Sequence, residues 1–145
     1  MIKFSLILIL SFISCFGISQ TRDTIAKPVQ SELADNDIIY TDVDSVASFP
    51  GGRKAWIKFV SENLDAGVGV ENGAKKGTYN VKIKFTVTKD GSLKDFVPVT
   101  KYKHGFEEEV IRVLKLSPRW IPAKKDGMFV NSIAEQIQTF VIMKG

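Results

Sequence analysis

The sequence predicts an α+β fold, a small antiparallel sheet in the order β-α-β-β-α-β with two helices packed on one face. Residues 78–88 alternate between apolar and polar side chains, as in a half-buried strand. Residues 53–64 and 105–116 carry apolar side chains at helical spacing. The pair Asp90-Gly91 favours a tight turn between two extended segments. Because each helix has a single apolar stripe, we expect both helices to cover the same sheet face.

The N-terminal segment has the pattern of a secretory signal peptide. An apolar run at residues 4–18 follows Lys3, and the small residues Gly17 and Ser19 precede Gln20. As a helix of about 1.5 Å per residue, the run would be about 22 Å long, short of a hydrocarbon layer of about 30 Å. The sequence therefore predicts a cleaved signal peptide at residues 1–19 and export of the remaining chain.

Two other interpretations of this segment stay open. Residues 4–18 could instead be retained as an inner-membrane anchor facing the periplasm. Cys15, the single cysteine, could be lipid-modified, although Phe12-Ile13-Ser14 lacks the leucine usual before such a cysteine. Cleavage after Ser19 would leave no thiol and lower the net charge from +4 to +3.

The remaining chain divides into a polar lead-in at residues 20–42 and a folded domain at residues 43–145. Residues 20–36 are polar, contain Pro28 and show no periodicity, which indicates a tether. The β-branched and aromatic residues from Ile38 to Val46 predict a first short edge strand.

The first half of the domain begins with a turn and a helix. Phe49-Pro50-Gly51-Gly52 predicts a sharp turn, because proline restricts φ and glycine accepts positive φ. The helix at residues 53–64 should bury one stripe, formed by Trp56, Phe59, Val60 and Leu64. Residues 65–77 contain four glycines and are predicted to form a long loop.

A β-hairpin should follow this loop. The strand at residues 78–88 is expected to bury its odd-numbered side chains, which are Tyr79, Val81, Ile83, Phe85 and Val87. Asp90-Gly91 suits a type I′ turn, so the strand at residues 93–100 returns antiparallel. Pro98 in that strand cannot donate a ladder hydrogen bond and marks an edge, a bulge or the strand end.

The second half repeats the pattern of helix and strand. The helix at residues 105–116 has an apolar stripe of Phe106, Val110, Val113 and Leu114, and Pro118 ends it. Glu107, Glu108 and Glu109 lie in its first turn, where the helix dipole favours acids. Asp126-Gly127 predicts a turn into a last strand at residues 128–143.

The sequence contains no pattern typical of a catalytic or metal site. His104, the only histidine, has no neighbouring cysteine or carboxylate at ligand spacing, and is interpreted as a loop or cap residue. Three consecutive helical glutamates point about 100° apart and cannot converge on one ion. Phosphate-loop, nucleophile-elbow and dinucleotide patterns are missing, and no dense basic run suggests nucleic acid. We therefore predict a non-enzymatic protein without cofactor.

Four linked motifs resemble the TonB C-terminal domain family. The first is Phe49-Pro50-Gly51-Gly52 before a helix that ends in Glu62-Asn63-Leu64. The others are the hairpin sequence VTKDGSL at residues 87–93, SPRWIPA at residues 117–123, and Asp126-Gly127 with the terminal Phe140. The likeness covers residues 43–142.

The resemblance implies a periplasmic protein-binding domain in transmembrane transport. In that family, the short extended TonB box of an outer-membrane receptor adds as a strand beside the last strand of the sheet, which is β-augmentation. The implied partner-binding residues lie in the last strand: Ser132, Ile133, Ala134, Gln136, Gln138 and Phe140. Gln136 and Gln138 replace the usual helix-facing apolar residues, so a shifted register, a bulge or an exposed binding role are all open. Trp120 is interpreted as a core residue rather than a recognition aromatic.

The sequence also departs from a complete energy transducer of that family. Its apolar N-terminal run contains no histidine for coupling to the inner-membrane motor, and residues 20–36 are short and not proline-rich. We therefore expect peptide binding rather than force transmission. The alternatives are a structural or assembly protein that forms a homodimer through its sheet edge, and a short membrane-anchored transducer.

Overall fold

The computed structural model describes residues 38–143, and most of its helices and strands coincide with the alternating and helical apolar patterns of the sequence. Four segments form the helices and the hairpin: α1 (Gly52–Asn63), β2 (Gly77–Val87), β3 (Leu93–Pro98) and α3 (Phe106–Leu116). The others are β1 (Ile39–Tyr40), α2 (Val68–Glu71), β4 (Ala123–Lys125) and β5 (Met128–Ile142). The predicted signal peptide, Cys15 and the tether at residues 20–36 lie outside the described residues.

The described residues form a mixed α+β fold around a five-stranded sheet. The main path of the sheet is β1-β5-β2-β3, and β4 pairs with the beginning of β5. All pairs are antiparallel except β1 and β5, which run parallel at Ile39↔Asn131 and Tyr40↔Ser132. The expectation of an antiparallel sheet is therefore confirmed for the other pairs and wrong at this one, where β1 adds beside β5 in the same direction.

Helices α1 and α3 cover one face of the sheet, and the hydrophobic core lies between this face and the two helices. The odd-numbered side chains of β2 are buried from Val81 to Val87, as the alternation predicts. Phe106 at the start of α3 packs on Phe140 of β5, with ring centroids 4.6 Å apart. The predicted stripes of both helices face the core. Each fully buried large side chain of this core contributes about 1.5 to 3 kcal/mol through the hydrophobic effect.

The N-terminal end of α1 packs in a cluster of aromatic rings. Phe49 and Trp56 both contact Trp120, at centroid distances of 6.0 and 5.7 Å. Trp120 also contacts Phe85 of β2 at 5.3 Å and is almost fully buried. Trp120 is therefore a core residue, whereas the neighbouring Arg119 side chain is 73% exposed.

The predicted loop at residues 65–77 contains a short helix that sequence reasoning missed. Helix α2 is held by Glu71 N–H donating to Gly67 O, and it begins where Gly67 N–H donates to the Asp65 carboxylate. Gly69 lies against the Phe106 ring, where an added Cβ would come within 2.2 Å of ring carbons. Sequence analysis interpreted the glycines of this segment as a sign of a loop. Gly69 instead allows α2 to pack closely on Phe106 of α3.

The two Asp-Gly turns differ, and the type I′ expectation was wrong for the first. Gly91 has φ 84°, but Asp90 does not take positive φ. Gly91 N–H donates to Thr88 O and Thr88 N–H donates to Ser92 O, as in a type I turn followed by a left-handed residue. Asp126 (φ 49°) and Gly127 (φ 78°) both take positive φ, as a type I′ turn requires.

Two glutamates in the first turn of α3 do more than complement the helix dipole. Glu107 is buried and accepts a hydrogen bond from Tyr102 N–H at 2.9 Å. Glu109 is also buried, and its carboxylate accepts from Asp65 N–H and from the Arg112 guanidinium, both at 2.7 Å. Glu107 thus holds the segment that precedes α3, and Glu109 holds the segment that follows α1.

Among the residues that the structure describes, no helix has the length and apolar character needed to cross a membrane.

Candidate partner-binding edge

The last strand, β5, is covered on one side along only part of its length. On the side away from β2, β1 pairs with Asn131 and Ser132. Strand β4 pairs with residues 128–130 on the other side, beyond the end of β2. From Ile133 to Ile142, β5 pairs only with β2 in the described part of the chain. About ten residues of strand therefore have an open side, and a second strand can add there.

The hydrogen bonds of Lys82 show which backbone groups point to this open side. Lys82 N–H donates to Thr100 Oγ1 at 3.1 Å, and Lys82 O accepts from Val99 N–H at 2.9 Å. Both groups therefore face away from β5, and Lys82 forms a non-hydrogen-bonded pair with its partner Ile137. Ile137 N–H and C=O consequently point away from β2, to the open side.

The pairing of β2 with β5 is uninterrupted from Gly77↔Ile142 to Val87↔Ser132, so this alternation extends along the strand. The residues with outward backbone groups are the odd-numbered ones: Ile133, Glu135, Ile137, Thr139 and Val141. One of these acceptors, Thr139 O, is occupied by Gln138 Nε2 at 3.2 Å. The others have no strand partner in the described residues.

The six residues predicted for partner binding divide between the open edge and the interior. Ser132 and Phe140 are each 3% exposed, Ser132 is paired with Tyr40, and Phe140 packs under Phe106. Ala134, Gln136 and Gln138 are half-buried and face the helices, while Ile133 is exposed on the other face. The strand has no bulge against β2, so the open question of register is settled with both glutamines facing the helices.

Sequence reasoning missed four residues of this edge, Glu135, Ile137, Thr139 and Val141. Strand alternation divides β5 into odd-numbered and even-numbered residues. Which of these two sets has its backbone N–H and C=O groups pointing away from β2 depends on the register with β2. That register is a tertiary property, because it is set by packing of the helix-facing side chains against α1 and α3.

The open face of the sheet beside this edge combines apolar side chains with one ionic cluster. Ile133, Ile137 and Val141 are exposed, with Ile137 at 58%. Glu135 lies between Lys82 and Lys84, with N···O distances of 3.4 and 3.5 Å. The Lys82 ammonium, by hydrogen bonding and charge, lowers the pKa of the Glu135 carboxyl. Glu135 is thus ionised and already neutralised within the sheet.

A groove of about 690 Å³ lies on the other side of the edge, between α1 and β5. Its walls are formed mainly by Phe49, Trp56, Ile57, Val60, Leu64 and Trp120, and by Gln136 and Gln138. Glu135 and Ile137, whose backbone groups point outward, also line it. The groove therefore opens at the same edge that offers the backbone hydrogen bonds.

The opposite edge of the sheet, on β3, is poorly suited to strand addition. Asp95 has φ 55° and lies where the pairing with β2 shifts by one residue, which is a β-bulge. β3 ends at Pro98, two residues before the predicted end, which is one of the three roles that the sequence left open for this proline. Lys94 is exposed on β3. A bulge, a proline and a charge are the features with which proteins prevent edge pairing, so the two edges differ in kind.

The remaining candidate polar residues have structural contacts. The His104 ring nitrogen Nδ1 lies 3.0 Å from Asn72 O, and the ring packs near Tyr79 and Phe106. Within residues 38–143, no three His, Cys, Asp or Glu side chains are grouped closely enough to hold a metal ion.

No protein-family model matches this chain, and a comparison with curated proteins finds no significant match.

Proposed function

We propose that this protein is a periplasmic binding module that receives an extended peptide of another envelope protein as an added strand on β5. The observation that carries the proposal is the open side of residues 133–142, where alternate N–H and C=O groups lack a strand partner in the described residues. Unpaired edge groups bind peptide backbone through main-chain hydrogen bonds, and side chains on either face of the strand select the sequence.

The difference between the two sheet edges supports this proposal. An unprotected edge invites aggregation, so proteins usually block it. Here β3 is blocked by its bulge and by Pro98, while the longer edge on β5 has no bulge and no proline. An open edge retained beside a groove is expected where a partner occupies it.

The resemblance to the TonB C-terminal domain family suggests the class of partner. On that basis the peptide is the TonB box of an outer-membrane receptor, and the protein acts in TonB-dependent transport. We likewise infer that the family's β-α-β-β-α-β arrangement is the framework of this fold, with α2 and β4 as small additions to it. The motifs at residues 49–52, 87–93 and 117–123 support this inference.

Self-association is the second candidate function, and the same edge favours it. Two copies of β5 could pair antiparallel, which would extend the sheet across a twofold axis and cover Ile133, Ile137 and Val141 in part. Analytical ultracentrifugation over a wide concentration range distinguishes the two functions. A dimer whose dissociation exposes the edge supports self-association, and a monomer at all concentrations excludes it.

The test of the first function is a titration of the isotopically labelled chain with a panel of TonB-box peptides, following backbone amide shifts. Strand addition predicts that the largest shifts and new protection from hydrogen exchange occur at Ile133, Glu135, Ile137, Thr139 and Val141. Shifts confined to the β3 edge, or no shifts with any peptide, would refute the proposal. A scrambled peptide of the same composition is the control.

A further inference from the structure

The groove between α1 and β5 contains two polar groups whose binding capacity the described structure does not use. Gln136 lies against Trp56, Val60 and Leu64, and within residues 38–143 its amide makes no hydrogen bond. Arg53 lines the same groove and has no ion pair with a described residue. A ligand of this groove can therefore satisfy one amide and one cation.

The other nearby charges are already paired. Lys58 on α1 lies 3.8 Å from Glu62, and Glu135 is held by Lys82 and Lys84. The uncompensated charge of the groove is thus positive, and the chain as a whole carries a net charge of +4. Charge complementarity favours an acidic group in the ligand.

Contacts at the two ends of α1 show where Arg53 lies along β5. At the beginning of α1, Trp56 packs on Trp120, which contacts Phe85, the ladder partner of Ala134. Just beyond the end of α1, Asp65 N–H donates to the Glu109 carboxylate in the first turn of α3. Since α3 begins at Phe106, which packs on Phe140, α1 runs along β5 from the Ala134 end toward the Phe140 end. Arg53 is therefore at the Ala134 end of the groove.

We propose that the peptide added to β5 places a large apolar side chain in the groove beside Gln136 and Gln138, and a carboxylate on Arg53. This inference rests on the proposed strand addition. Because side chains of a strand alternate between faces, the acidic residue and the apolar residue are separated by an even number of positions. The partner is thus an acidic and apolar segment of another protein in extended conformation.

The volume and lining of the groove fit this class of ligand. A groove of about 690 Å³ is within the range of about 300 to 1,000 Å³ typical of small-ligand sites, which are mostly apolar with a few polar groups. The Gln136 amide can donate to and accept from the peptide backbone next to the apolar side chain. Aromatic walls from Trp56 and Trp120 supply the contact area.

The test uses synthetic peptides of eight residues with an aspartate and a phenylalanine two or four positions apart. The aspartate precedes the phenylalanine in one set and follows it in the other, because the added strand can run in either direction along β5. Both tryptophans of the chain line the groove, so a change in tryptophan emission reports its occupation. Replacing the phenylalanine by serine should weaken binding by about tenfold or more and abolish the emission change. Peptides whose affinity and emission are indifferent to this replacement would overturn the proposal.

The carboxylate contact is tested with the variant Arg53→Gln, and with Lys54→Gln as the matched control. Lys54 is the next residue of α1 and is exposed, but it does not line the groove. A second peptide carries asparagine in place of the aspartate. Arg53→Gln should weaken binding of the aspartate peptide by about threefold at low ionic strength and leave binding of the asparagine peptide unchanged. Equal effects of the two protein variants, or of the two peptides, would show that Arg53 does not receive the carboxylate.

The same experiment separates failure of this inference from failure of strand addition. If the amide signals of residues 133–141 shift but replacing the phenylalanine or the aspartate does not change the affinity, strand addition is supported and the groove inference is refuted. If no peptide shifts these amides, both proposals fall.

Discussion

Lys82 and Ile137 lie opposite each other in the ladder of β2 and β5 and exchange no backbone hydrogen bond. The N–H of Ile137 therefore points to the open side of the sheet. The neighbouring pair Val81↔Gln138 is hydrogen-bonded, so the N–H of Gln138 holds the ladder together. Adjacent residues of one strand thus have opposite roles, one in binding and one in folding.

A proline scan of these two positions tests the assignment. Ile137→Pro removes a donor that the fold does not use, so we expect a small loss of unfolding free energy, about 1 kcal/mol or less, and loss of peptide binding. Gln138→Pro removes a ladder hydrogen bond and should cost on the order of 3 kcal/mol. Urea unfolding and peptide titration measure both effects. Similar destabilisation by the two prolines would contradict the assignment.

The close approach of Gly91 to Trp120 predicts an unusually costly alanine substitution. An added Cβ at Gly91 would lie 2.2 Å from Trp120 O, whereas at Gly127 it would meet nothing within 4 Å. Both glycines have similar positive φ, so Gly127→Ala measures the backbone cost alone, about 1 to 2 kcal/mol. Gly91→Ala should lose about 1 to 3 kcal/mol more in chemical denaturation. Equal losses would mean that the hairpin can shift away from Trp120 O at no energetic cost.

Asp90 should make the stability of the hairpin depend on acid pH. Hydrogen bonds from Thr88 Oγ1 and from the backbone and side chain of Ser92 lower the pKa of Asp90 from 3.8 to about 2. Because the folded pKa is below the unfolded one, the stabilisation is present above about pH 4 and is lost as the pH falls toward 2. The side chain is 52% exposed, so screening by solvent limits the effect to about 1 kcal/mol or less.

The variant Asp90→Asn isolates this contribution, and Asp95→Asn is the control for loss of one negative charge. The difference in unfolding free energy between wild type and Asp90→Asn should shrink as the pH falls from about 4 to about 2. Urea unfolding followed across this range measures it. A constant difference, or the same trend in Asp95→Asn, would rule out the turn carboxylate as the cause.

Glu109 is expected to stabilise the fold through the loop that follows α1. Its side chain is 8% exposed, and hydrogen bonding by Arg112 lowers the pKa of its carboxyl. Glu109→Gln keeps an acceptor for Asp65 N–H but removes the charge, and we expect a loss of about 1 to 2 kcal/mol in unfolding free energy. Glu108→Gln, at the exposed neighbouring position, should change stability by less than about 0.5 kcal/mol. Thermal and urea unfolding compare the two, and equal values would contradict the buried role.

Several elements follow from local sequence patterns. Both long helices and the two strands of the hairpin occur within a few residues of their predicted bounds, because a single buried face imposes a clear period on each of them. Proline cannot donate within a ladder, so Pro98 limited its strand to an edge, a bulge or a strand end, and the structure places β3 at the edge with Pro98 as its last residue. The last strand could also be predicted from composition and from the turn before it.

The sequence by itself determined the elements and their buried faces, and tertiary structure decided how they meet. In helix α2, Gly69 packs closely on Phe106, and the parallel strand β1 pairs with β5 at Asn131, so both elements make contacts with residues far away in the chain. The binding edge is the clearest case. Alternation assigns the side chains of β5 to two faces, but the choice of which backbone groups remain open depends on β2 occupying the other side. Hydrogen bonds between strands join residues far apart in the chain, so no local pattern contains that information.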